Sequence, residues 1–512
     1  MLKLLVAAAF AAPSPGPHSA QVGVYGHQAT LPAPPPRGSM TSPTPGPDHT
    51  VYGYLAWWDA DLATVRWDDL SHIALFSAGA SASGTLTDTW PWDQTATAVA
   101  MAEPYGVRVH LCVTQFDYDS LETLLSSSSH RTALIDDLVG WVDSTGAHGV
   151  NIDFEGLPVS VRDEMISFTE DLDAAVEDVV LATPAVDWSG SWDYSELTKH
   201  ADLFIMGYGY HWTGSTEAGP NDPLVSGAGT AFSSKYSLSW TLADYATYGA
   251  DPNRVILGLP LYGQGWTTGS EAVPAGAIGT GWSVFYRDAI ADAEVLGRRE
   301  EPTTSSLWTW DGADQVWYGD VDTLQERVVY ARDTAAVSGI GFWALHYDAD
   351  DPAIWEMLAE ALSDSPPGTT PSTNEPPGTE ALVADAGAPF LAYPGDTVVL
   401  SGAGSTGPGP LTYAWTQVGG PNVSLSNPFD VAPIFVVEGV GNRIFELVVS
   451  SEGAESAPAT STVIVIDPDA GSRYKPGGCT SAPGLAGLWI GAFALTGIRR
   501  ARSKHARGGL FG

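Results

Sequence analysis

The sequence predicts an α/β protein: a (β/α)8 barrel of the TIM type, followed by a small immunoglobulin-like β-sandwich. Three observations carry this expectation. Between residues 51 and 363, eight short apolar runs alternate with helix-patterned stretches, the signature of a parallel sheet covered by helices. Residues 381–467 carry short alternating runs separated by turn residues, without helical periodicity. Between the two lies a Pro-Gly-Thr-rich stretch, 364–380, that reads as a linker. An open doubly wound sheet would place a Gly-rich phosphate loop after the first strand, and Ala56-Trp57-Trp58-Asp59 is no such loop.

The elements follow in order. Residues 1–20 read as an export signal: Lys3 precedes an apolar run, and cleavage is expected after the small residues around Ala11 or at Ala20. Residues 21–50 are rich in Pro and Gly and lack periodicity, so they read as a linker. The barrel strands are expected at 51–57, 71–77, 107–113, 149–155, 179–184, 203–208, 255–261 and 339–345, with helices at 131–144 and 160–176 among those between them. In the second domain, strands are expected at 397–401, 411–417, 432–436, 443–450 and 460–466. The tail, 468–512, combines Cys479, an apolar stretch at 485–498 and an Arg-rich end. That stretch is shorter than the roughly 20 residues of a membrane span; the order of Cys, small residues, apolar run and Arg cluster resembles C-terminal sorting tails, which implies attachment to a membrane or cell surface.

Composition narrows the function. With 22 Lys and Arg against 60 Asp and Glu, the formal net charge of −38 disfavours nucleic acid as a partner. Two cysteines, Cys112 and Cys479, build neither a disulfide framework nor a four-cysteine zinc site, and Cys112 is expected as a buried free thiol. The 19 Trp and 19 Tyr point toward sugars, whose C–H faces stack on aromatic rings.

The informative stretch runs from His148 to Gly156. As a strand it sends Val150, Ile152 and Phe154 to the helices and Asn151, Asp153 and Glu155 to the barrel interior. Glu155 would stand at the C-terminal end, where barrel enzymes place their chemistry. Asp153 would lie one layer deeper, about 6–7 Å along the strand. Low solvation and neighbouring negative charge raise a carboxyl pKa and keep an acid protonated near neutrality. Asp-x-Glu alone offers too few metal ligands, so no metal or cofactor is expected.

His148 to Glu155 resembles the Asp-x-x-Asp-x-Asp-x-Glu signature of family 18 glycoside hydrolases, the chitinase family. Met206-Gly207-Tyr208 is similar to its Met-x-Tyr, 257–263 to its Gly-x-Pro-x-Tyr-Gly, and Val316-Trp317-Tyr318 with 341–345 to the end of its barrel. The form 151–155, with Thr114-Gln115-Phe116 after the third strand, resembles the bacterial branch that includes spore-cortex-lytic N-acetylglucosaminidases. The resemblance implies an exported glycosidase acting on polysaccharides of β-1,4-linked N-acetylglucosamine by substrate-assisted, retaining hydrolysis. By the same resemblance Glu155 is the acid and base, and Asp153 orients the acetamido group with Asn151 hydrogen-bonded to it. Tyr208 bonds the acetamido oxygen, Trp343 is the floor of the site, and Tyr262 and Gln115 are further substrate-binding positions. The sequence departs from the signature at His148 and Asn151, and Gly209 stands where an Asp often follows the Tyr. A non-catalytic sugar-binding surface protein on the same barrel is the alternative. Segments around 386–417 resemble a PKD-like domain, with Trp415 as its core tryptophan, and the tail resembles myxobacterial-type sorting tails.

Overall fold

The structure, a computed structural model, describes residues 17–25, 49–362 except 228–229, and 382–465 except a few positions. The start of the predicted signal, the linker 364–380 and the tail with Cys479 lie outside the described residues.

Eight parallel strands close into a barrel. They are β1 (Thr50–Ala56), β2 (His72–Ala80), β3 (Arg108–Gln115), β4 (Gly149–Phe154), β5 (Asp178–Pro184), β6 (Asp202–Met206), β7 (Val255–Pro260) and β8 (Gly339–Trp343). Each pairs with the next, and β8 returns to β1 with Thr50 opposite Gly339. All eight strands predicted from the apolar runs are therefore present, with ends that coincide or shift by at most three residues.

Outside the barrel lie α2 (Thr95–Ala102), α3 (Tyr118–Ser126), α4 (Ser128–Thr145), α5 (Arg162–Asp173), the one-turn α6 (Tyr194–Leu197), α7 (Leu238–Thr247), α8 (Tyr286–Leu296), α9 (Val321–Val329) and α10 (Pro352–Ala361), numbered after α1 (Pro17–Tyr25). Their ends follow local chemistry. Asp117 accepts a hydrogen bond from the Ser120 N–H at the start of α3, and Gly146, at φ 74°, ends α4. The outward residues of β4 behave as alternation requires. Phe154 stacks on Phe168 of α5 at 6.0 Å, and burying such a side chain contributes roughly 1.5–3 kcal/mol.

Between β7 and β8 the chain makes a five-stranded antiparallel sheet that includes Tyr262–Thr267 and Asp314–Tyr318. Part of its packing is a separate aromatic cluster of Trp266, Trp308, Trp317 and Phe232. This corrects one expectation: Val316-Trp317-Tyr318, read with the end of the barrel, belongs to the inserted sheet. Trp317 serves that cluster, and Val316 and Tyr318 pack in another with Ala289 and Leu307.

In the second domain, Thr412–Gly419, Arg443–Ser451 and Ala459–Val465 form an antiparallel sheet extended by Phe390–Ala392, and Thr397–Val399 pairs with Ile434–Val436. Trp415 is buried in the core of these sheets, as predicted, and its Nε1 donates to the Asp430 carbonyl at 3.1 Å. One element was not foreseen. Where the sequence reads as the end of a signal and a featureless linker, α1 forms a helix.

Candidate active site

The inward face of β4 carries Asn151 and Asp153, both fully buried, and Glu155 follows one residue past the strand end, also buried. Tyr208 stands two residues beyond β6, and Trp343 ends β8. Asp153, Glu155, Tyr208 and Trp343 converge, and they do so around one imidazole, that of His18 on α1.

His18 Nδ1 lies 2.8 Å from Asp153 Oδ2, and Nε2 lies 2.6 Å from the Tyr208 hydroxyl. Its ring stacks on Trp343 at 3.8 Å between centroids. The backbone N–H groups of His18 and Ser19 donate to the two Glu155 carboxylate oxygens, each at 2.9 Å. Gln21 Oε1 accepts from Trp343 Nε1 at 2.9 Å and from the Tyr347 hydroxyl at 3.1 Å.

The electrostatics follow from burial without a cation. Among the described residues neither Asp153 nor Glu155 has an ion pair with Lys or Arg. Burial, and then the Asp153 charge, push Glu155 up to about 7, against lowering contributions from His18 and the two backbone N–H bonds. Burial also raises Asp153 well above the usual carboxyl range. Burial pushes the Tyr208 hydroxyl up, so it stays a proton donor.

Other predicted positions sit differently. Asn151 does not bond Asp153: its Oδ1 accepts from the Tyr54 hydroxyl at 3.1 Å and the Cys112 thiol at 3.2 Å, because the amide turns down into the barrel. Asn151 Nδ2 and Asp153 Oδ1 have no partner among the described residues. Gln115 is also spent elsewhere, donating to the Ala80 carbonyl and accepting from the Asp117 N–H at 2.8 Å. Its link to the site is its backbone carbonyl, which accepts from the Glu155 N–H at 3.2 Å. Tyr262 packs edge-on against Tyr208 at 5.9 Å and so borders the pocket. Cys112 is a buried free thiol, as predicted. Gly209 adopts φ 81°, the left-handed region, and its N–H donates to Asn221 Oδ1 at 2.9 Å. An aspartate there would be strained, which accounts for that departure.

The sequence reading missed Tyr54, Trp58 and Tyr347. Trp58 Nε1 donates to the Tyr347 hydroxyl at 3.0 Å, and inward alternation of β1 was the available signal for Tyr54. It also missed His18, for which a Pro- and Gly-rich stretch gives no signal.

Among the described residues, two groups place possible metal-ligand atoms within 4.8 Å of one another: His18, Asp153 and Glu155 here, and His72, His110 and Asp178 at the opposite end of the barrel. In the second, Asp178 is already paired with Arg108, whose positive charge opposes a further cation.

The pattern of the family described as Glycosyl hydrolases family 18 matches residues 50–348, more than half of the chain. The chain belongs to that family. Among its relatives, a Bacillus subtilis protein named as a sporulation-specific glycosylase is 22% identical over 254 residues, covering 47% of this chain and 57% of that protein. An endochitinase of Brugia malayi is 23% identical over 287 residues, covering 48% and 54%. The chain thus spans about half the length of these curated relatives. Among solved structures, a family 18 chitinase of Cycas revoluta in complex with (GlcNAc)3 aligns with TM-score 0.55 at 16% identity, covering 61% of this chain and all of that one. A chitinase-like agglutinin of Robinia pseudoacacia aligns with TM-score 0.55 at 18% identity, covering 61% and 99%. At these identities the likeness establishes the barrel fold of this family 18 protein.

Proposed function

We propose that this family 18 protein is an exported glycosidase that hydrolyses β-1,4-linked N-acetylglucosamine polymers, chitin or peptidoglycan, with retention. One observation carries the reading: Glu155, Asp153, Tyr208 and Trp343 surround a single group that one acetamido sugar could replace. In that arrangement Glu155, with its proton held up to about 7, protonates the leaving oxygen and later takes a proton from water. Asp153 accepts the acetamido N–H, and the Tyr208 hydroxyl donates to the acetamido oxygen as that oxygen attacks the anomeric carbon. Trp343 supports the sugar ring. Export and surface attachment rest on the leader-like start and the basic tail of the sequence, and a PKD-like reading of the second domain on its turn and strand motifs.

The alternative, a non-catalytic sugar-binding protein, has a precedent of fold in the Robinia agglutinin. Presence of the acid at Glu155 favours hydrolysis. The test is hydrolysis of chitin oligosaccharides and purified peptidoglycan side by side, with fully deacetylated chitin as control. Cleavage with β-anomeric product from the acetylated substrates alone is expected. Equal cleavage of the deacetylated polymer would overturn the mechanism.

A further inference from the structure

The segment Pro17–Tyr25 touches every group to which the proposed reaction gives a role. A neutral imidazole offers one N–H donor and one acceptor nitrogen. Burial lowers the His18 pKa to about 4, so the ring is neutral above that pH. With Nδ1 protonated, His18 donates to Asp153 and accepts from Tyr208. An acetamide presents the same pair, its N–H to the carboxylate and its carbonyl to the hydroxyl. Stacking of the ring on Trp343 fills the place of the sugar face. At Glu155 the first two amides of α1 do what helix N-terminal amides do for an anion, and both bonds favour the ionised carboxylate over the protonated acid. Gln21 then fastens the helix to Trp343 and Tyr347.

We propose that Pro17–Tyr25 is a built-in competitive inhibitor: it holds the cleft closed, with His18 as a mimic of the acetamido group. The proposal rests on the hydrolase reading of the site. Tethering makes the inhibitor effective, since a competitor on the same chain binds intramolecularly and is not diluted. It also ties activity to processing. Of the two predicted cleavage points, Ala11 leaves α1 whole, whereas Ala20 lies inside it. Hydrolysis of the Ala20–Gln21 peptide bond by an endopeptidase, with water supplying the new carboxylate oxygen and amine proton, detaches His18 and Ser19 from Gln21 and opens the cleft.

The test uses the full chain, made without processing, and its His18→Ala and Ser19→Pro variants. Neither residue belongs to the catalytic machinery, and proline is tolerated in a first helical turn while removing the N–H that reaches Glu155. Both variants should bind chitotetraose at least about tenfold tighter than the unsubstituted chain and hydrolyse it at least about tenfold faster, as loss of a tethered competitor requires. An imidazole titration followed by NMR, with His18 assigned from the His18→Ala spectrum, should find it near 4. Equal chitotetraose binding in all three chains, or a His18 that titrates like a free histidine, overturns the proposal. If the variants gain binding but no chain hydrolyses the sugar, the hydrolase reading fails and the occluding segment stands.

Discussion

At the base of the barrel Asp178 meets Arg108 and, at 3.1 Å, His110. At the mouth Asp153 and Glu155 meet His18, backbone amides and a hydroxyl, with no Lys or Arg paired to them among the described residues. Burial acts on both places in the same direction. At Asp178 it is outweighed by the hydrogen bonds and charges of His110 and Arg108, which hold the carboxyl well below its ordinary range. At Glu155 the neighbouring Asp153 reinforces burial instead. One barrel thus keeps a permanently ionised carboxylate at one end and proton-holding carboxyls at the other. Two things separate them: the cation beside Asp178 and the deeper burial of Asp153 and Glu155.

The sharpest way to break this contrast is to remove the acid. Glu155→Gln should lower turnover on chitin oligosaccharides at least about a hundredfold with an unchanged fold by circular dichroism, because general acid catalysis is worth 10²–10⁴-fold. A smaller loss would show that the proton held at the mouth is not the one transferred.

The pH profile probes the same contrast more gently. An acid works protonated, so kcat/KM should fall about tenfold per pH unit above the Glu155 pKa. The break is expected above the ordinary 4.5 and up to about 7, measured on the His18→Ala chain. A profile flat to pH 9 would contradict the raised pKa.

The smallest effect belongs to the base. Asp178→Asn leaves Arg108 and His110 short of their partner and should cost about 1–2 kcal/mol at pH 7 by urea unfolding, at the low end for a paired charge because the pair is partly exposed. A depressed folded-state pKa stabilises above the unfolded value and loses that contribution as pH falls. The difference between wild type and variant should therefore shrink below about pH 4. A difference that grows in acid would reverse the assignment.

These two ends were not equally legible in the sequence. Strands β1 to β8 announce themselves as apolar runs because both faces of a covered parallel barrel are dry. Asp153 and Glu155 stand out because alternation within one strand isolates two carboxylates on one face. The base network draws on the starts of β2 and β5 and on the early part of β3, so no local window contains it. Asn151 was placed on the right strand and Gln115 just after its own, which runs on to include it, but which neighbour a side-chain amide bonds is decided by Tyr54, Cys112 and Ala80, which only the closed barrel brings near. The inserted sheet between β7 and β8 was not anticipated, and its Val316-Trp317-Tyr318 was read with the end of the barrel, because strand pairing across the insertion is set by residues far apart in sequence. His18 was invisible: its partners lie more than a hundred residues away.

Closure of the ring has a kinetic side. β1 is the first barrel strand made, yet one of its two neighbours is β8, the last. At about 5–20 residues per second, the stretch from Thr50 to Gly339 takes roughly 15–60 s to synthesise. Throughout that interval β1, and β7 once it has been made, each present a row of unsatisfied amide and carbonyl groups, the template on which chains aggregate. The nascent protein is therefore an incomplete sheet with two sticky margins until its final strand slots in. A holdase that shields those margins should matter more to its yield than any single core substitution.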